Sequence, residues 1–94
     1  MRTKTIHKTH MFAECPKGAS DYYEVEFHVE NKVIAVEDIQ ATIAKVTKRT
    51  IYQEDLTASL ANRLGCKVVT YGIHSGFKTE CTAEPEVYDE PSGD

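Results

Sequence analysis

"DYYEVEFHVE", residues 21 to 30, decides the fold because it alternates without interruption. Tyr23, Val25, Phe27 and Val29 fall on one face of an extended chain, and Glu24, Glu26, His28 and Glu30 on the other. Successive side chains of a strand point to opposite faces, so a segment written this way is a strand with one face in a core and the other in water. The reading continues the strand through Val33 to Val36 after a kink at Asn31.

Working outward, Pro16 and Gly18 break the chain just before this strand. Upstream of them, residues 3 to 12 are rich in threonine and β-branched side chains and read as a first strand with polar residues on both faces. Downstream, Ile39, Ile43 and Val46 recur at helical spacing, with Glu37 and Asp38 in the first turn and Lys45, Lys48 and Arg49 in the last, which suits the helix dipole. A helix over about residues 37 to 48 follows. A second opens near Gln53, with Glu54 and Asp55 at its start, Leu56, Leu60 and Leu64 on one face, and Gly65 where a C-terminal cap belongs. From Lys67 to His74 the pattern returns to strand, with Val69, Tyr71 and Ile73 alternating. Ser75-Gly76 is then a tight turn into Phe77, Thr79 and Cys81.

The order is ββααββ, an α+β class in which two hairpins make a four-stranded antiparallel sheet covered on one face by two helices. Such a sheet has two open edges, and association of several copies edge to edge closes a barrel, so a homo-oligomer with its helices outside is expected. Read instead as a DNA-binding helix-turn-helix, residues 37 to 64 would set Glu54 and Asp55 against phosphates, which disfavours that alternative.

A chain of 94 residues with 40% hydrophobic content is one domain with a thin core. Residues 84 to 94 carry five acids and no base, so the formal charge of -4 for the whole chain leaves residues 1 to 83 at +1. A near-neutral body supplies no field for general nucleic-acid binding. The domain is accordingly placed at residues 1 to 83 and an acidic disordered tail at 84 to 94. No apolar run approaches the roughly 20 residues that span a bilayer, and residues 1 to 12 lack the apolar stretch of a secretory signal, so no membrane partner and a cytoplasmic location are expected. Cys15, Cys66 and Cys81 are an odd number without framework spacing, in keeping with a reducing compartment.

Cys15-Pro16, followed by Gly18 and Asp21 at the entry of the alternating strand, and Gln53-Glu54-Asp55-Leu56-Thr57 at the start of the second helix are the two local motifs. In the ββααββ order they resemble the tunnelling fold, the family of oligomeric barrels that includes GTP cyclohydrolase I and 7-cyano-7-deazaguanine reductase. The first motif resembles the reductase segment whose cysteine is the nucleophile and whose aspartate is the acid. It is one residue shorter here, which leaves both Asp21 and Glu14 open as the acid. The second motif is similar to the cyclohydrolase helix start, where the glutamate holds the edge of a purine ring.

The resemblance implies nitrile chemistry on a 7-cyano-7-deazaguanine-like substrate, in a pathway of the queuosine or archaeosine type. A thiolate adds readily to a nitrile carbon and gives a covalent thioimide; Cys15 would supply the thiol and Asp21 the proton. Glu54 would accept two hydrogen bonds from a guanine-like edge, with Gln53 and His74 as further substrate contacts. The thioimide then serves either reduction, which needs a reduced nicotinamide cofactor such as NADPH, or amine addition, which does not. The ligand implied is a purine-like small molecule or a modified base in a nucleic acid. His74 resembles a histidine of the cyclohydrolase, but Gly76 stands where that enzyme has a zinc-binding cysteine, and His7 and His10 fall on opposite faces of a strand, so no metal is expected. Two alternatives stand beside this reading: a cyclohydrolase-type enzyme of the same fold, and a non-catalytic oligomeric binding module in which Cys15 is a turn residue and Glu54 a helix-start acid.

Overall fold

The computed structural model describes residues 2–18 and 20–86, and most of the expected acidic tail, residues 87–94, lies outside them. Six elements follow in order: β1 (Lys4–Glu14), β2 (Ser20–Glu30), α1 (Val36–Val46), α2 (Gln53–Leu64), β3 (Lys67–His74) and β4 (Phe77–Ala83). The strands form one antiparallel sheet in the order β1-β2-β3-β4. The α+β class and the ββααββ order are those read from the sequence.

Register fixes which side chains meet the helices. Tyr23, Val25, Phe27 and Val29 stand opposite Met11, Thr9, His7 and Thr5 of β1. On the other side, Tyr23, Val25 and Phe27 stand opposite Gly72, Thr70 and Val68 of β3. This face is covered: Phe27, Val68, Leu56, Leu60 and Ala61 are fully buried, with Ile39 and Val46 of α1 closing the same core. Burial of each large apolar side chain contributes about 1.5–3 kcal/mol, and this one layer is the source of the fold's stability. Residues Val69, Tyr71 and Ile73 do share a face, but it is the one turned away from the helices, beside Glu24 and Glu26.

β2 stops at Glu30 and does not run on to Val36. Asn31 takes a left-handed φ of 61°, donates its amide to the Thr3 carbonyl at 2.9 Å, and accepts the Thr3 amide on its side-chain oxygen at 3.1 Å. That exchange locks the end of the hairpin, and the chain leaves the sheet toward α1. α1 in turn ends at Val46: Thr47 still donates its hydroxyl and amide to the Ile43 carbonyl, at 2.7 and 3.0 Å, but its ψ of 6° has left the helical region. Gly65 closes α2 in the left-handed region, φ 68°, where a side chain is strained, as the C-cap reading required. β1 and β4 are the two edges of the sheet. No helix among the described residues is long and apolar enough to cross a membrane.

Candidate active site

One backbone bond sets the site. The Ile51 amide donates to the Glu14 carbonyl at 2.8 Å, so the last residue of β1 is tied to the loop that feeds α2. Cys15 comes next after Glu14, and Gln53 and Glu54 come two and three residues after Ile51. The thiol-bearing turn and the start of α2 are therefore brought to one end of the sheet. The turn itself closes with the Gly18 amide on the Cys15 carbonyl at 2.9 Å, and Gly18 takes a φ of 92° that only glycine adopts without strain.

Asp21 lies opposite Ala13, which puts its carboxylate on the helix side with Tyr23; Glu14, one place along, faces the other way. The Tyr23 hydroxyl donates to Asp21 Oδ2 at 3.2 Å, and His74, at the end of β3, brings Nδ1 within 3.6 Å of the same oxygen. The imidazole lies near the Tyr23 ring, centroids 5.9 Å apart, and its Nε2 is 2.6 Å from Gln53 Oε1. Gln53 is buried at 4% exposure, Cys15 and His74 are half-buried, and Glu54 is exposed in the first turn of α2. Asp21, Gln53 and His74 thus form one connected group. Cys15 and Glu54 border it: their charges, after burial and Asp21, help to hold the Tyr23 phenol well above its ordinary value.

A cavity of about 630 Å³ lies on the sheet face turned away from the helices, walled by Tyr22, Glu24, Tyr71, Ile73, Lys78 and Glu80; it reaches Asp21, but Cys15, Gln53, Glu54 and His74 are not among its walls. It has room for a purine-sized ligand. Among the described residues, no group of three or more His, Cys, Asp and Glu side chains is arranged to hold a metal ion.

The sequence reading missed Tyr23, which it placed only in the core. Its signal was present: a buried tyrosine needs a partner for its hydroxyl, and Asp21, two residues earlier on the same strand face, was the nearest. The raised Tyr23 phenol has a consequence for stability. The folded protein keeps a proton that the unfolded chain releases near pH 10, so this contribution is complete below about pH 10 and stability falls as the pH rises beyond it. Tyr23→Phe should make that alkaline fall shallower, leaving the parts due to Tyr71 and Cys66, whose groups burial also raises. Urea midpoints measured from pH 8 to 11 check it, and equal slopes for the two proteins would contradict it.

No family model matches the chain, and no curated protein matches it. Among solved structures, it is similar to a crystal structure of the archaeosine synthase QueF-Like in the apo form, with a TM-score of 0.80 and 23% identity over 87% of this chain and 92% of that one. The agreement extends over nearly all of both chains, and the fold of this protein is the tunnelling fold.

Proposed function

We propose that this chain captures the nitrile carbon of a 7-cyano-7-deazaguanine-like base, free or within a nucleic acid, as a covalent thioimide on Cys15. The observation that carries the reading is the backbone bond from Ile51 to Glu14, which ties the Cys15 turn to the start of α2 at the end of the sheet where Asp21 stands. The likeness to an archaeosine synthase supports a 7-deazaguanine as the ligand class. The sulfur lone pair forms the S–C bond, one π pair of the nitrile moves to nitrogen, and Asp21 supplies the proton there. The thioimide carbon is then open to an amine or a hydride.

Glu54, exposed at the first turn of α2, has the position and charge to accept two hydrogen bonds from the ring N–H and exocyclic amine of such a base. Glu54→Gln keeps the shape and turns one acceptor into a donor. Affinity for 7-cyano-7-deazaguanine, read by calorimetry, should fall by about 2 kcal/mol, roughly thirtyfold, while the unfolding midpoint stays in place. A lower midpoint with unchanged affinity would leave Glu54 only its local role at the helix start. The working species is a homo-oligomer in the cytoplasm, assembled through the β1 and β4 edges. Sedimentation velocity gives its size, and a monomer at micromolar concentration would remove that part of the reading.

A further inference from the structure

The hydrogens around Gln53 have only one consistent arrangement. Its Nε2 lies 3.1 Å from the Thr79 carbonyl, 3.3 Å from the Thr70 carbonyl and 3.1 Å from the Thr70 hydroxyl. Backbone carbonyls only accept, so the amide nitrogen, not the oxygen, must occupy this place. Oε1 therefore faces His74, and because that oxygen also only accepts, His74 Nε2 carries the hydrogen of the 2.6 Å bond. The hydroxyls agree. Thr57 donates its single hydrogen to the Gln53 carbonyl at 2.7 Å, so Thr70 donates to Thr57 at 2.7 Å and accepts from Gln53. The circuit is closed and buried, with Thr57 and Thr70 at 0% exposure.

With a hydrogen fixed on Nε2, a neutral His74 presents a lone pair at Nδ1. That lone pair faces Asp21 Oδ2 at 3.6 Å, and the same oxygen already accepts from Tyr23. At 3.6 Å the two atoms are too far apart for a hydrogen bond, yet close enough for a proton on either to act on the other. We propose that Gln53 is a positioning residue: it fixes His74 in the tautomer with its hydrogen on Nε2, so that the Nδ1 lone pair stands beside Asp21, the acid that protonates the nitrile nitrogen, as the group with which Asp21 exchanges that proton.

The delivery step rests on the nitrile-capture reading. In the reactive form Cys15 is a thiolate and Asp21 holds the proton. The sulfur lone pair forms the S–C bond, the nitrile π pair takes the proton, and Asp21 is left a carboxylate beside a neutral His74. Atoms and charge balance without an added reagent. Titratable and charged neighbours of Asp21 and His74 are Tyr23 on β2, Cys15 in the turn before it and Glu54 on α2; Glu24, Lys78 and Glu80 share the adjoining cavity wall.

Nitrogen-15 NMR of the full chain with labelled histidine, near neutral pH and without ligand, reads the tautomer directly. His74 should carry its hydrogen on Nε2 throughout, Asp21→Asn should move the Nδ1 signal while Nε2 stays protonated, and Gln53→Leu should release a mixture of tautomers. A neutral His74 protonated on Nδ1 in the wild type would overturn the proposal, and this arm needs no variant to fold. With 7-cyano-7-deazaguanine, Gln53→Leu should slow adduct formation at least about tenfold with little change in ligand affinity, as misalignment of the group that exchanges the proton with Asp21 would; an unchanged rate would overturn the positioning role. If the wild type binds the base but forms no adduct, the capture reading fails and proton delivery with it, whereas the tautomer result still decides whether Gln53 fixes His74.

Discussion

Cys15→Ala is expected to abolish covalent capture while leaving the fold and reversible binding in place. The side chain is half-buried in a turn, makes none of the core contacts of Cys66, and loses only a sulfur on substitution. Addition to a nitrile expels no leaving group, so the wild-type protein should gain the whole mass of the ligand and the variant none. No neighbouring group replaces the thiol, because carboxylates and hydroxyls are far weaker nucleophiles toward a nitrile at neutral pH. Calorimetry on the same samples separates the two events: heat of binding with no mass gain in Cys15→Ala, and both in the wild type. An adduct that survives Cys15→Ala would place the nucleophile elsewhere.

Gly72→Ala carries the second large effect, this time on the fold. A Cβ at this position would lie 2.6 and 2.7 Å from Cε1 and Cδ1 of the Tyr23 ring. The ring is 1% exposed and packed on all sides, so it cannot move aside freely. Overpacking of this kind costs about 1–3 kcal/mol, a large fraction of the roughly 5–14 kcal/mol expected of a domain this size. The displaced ring would also draw its hydroxyl away from Asp21, so adduct formation should slow in any fraction that folds. Adding Tyr23→Leu, which removes the ring atoms in the clash, should recover part of the lost stability, a coupling that a double-mutant cycle measures. A Gly72→Ala protein within about 0.5 kcal/mol of the wild type would contradict this packing account.

These two positions also show what the sequence could convey. The alternation of Tyr23 to Val29, the C-cap at Gly65 and the Ser75-Gly76 turn are local signals, and the elements they define form where expected. β3 was harder to orient, because its buried face is Val68, Thr70 and Gly72 and its apolar-looking face of Val69, Tyr71 and Ile73 points the other way. Thr70 is buried because its hydroxyl belongs to a closed hydrogen-bond circuit, and Gly72 because it makes room for an aromatic ring. Neither reason is visible in one dimension. The continuation of β2 to Val36 failed for a similar cause: Asn31 exchanges hydrogen bonds with Thr3, a residue 28 positions away.

The site divides the same way. Cys15, Asp21 and Glu54 rest on motifs that resemble those of a known family; the structure puts Asp21 against the Tyr23 hydroxyl and brings the Cys15 turn and the start of α2 to the same end of the sheet. Which face Asp21 and Glu14 take is a matter of strand register, which puts Asp21 with Tyr23 and His74 and turns Glu14 to the opposite face. Gln53 and His74, 21 residues apart, look like separate polar residues until the two helix and strand ends meet. Their hydrogen-bond directions then follow from which atoms can donate.

The most direct test of the central claim is to locate the adduct. After incubation with 7-cyano-7-deazaguanine under conditions where binding is demonstrated, the protein is digested and its cysteine-containing peptides are weighed. The account predicts one ligand mass on the peptide containing Cys15 and unmodified peptides for Cys66, which is buried, and Cys81. Bound ligand with no modified peptide, or a modification on Cys66 or Cys81 in place of Cys15, would contradict it.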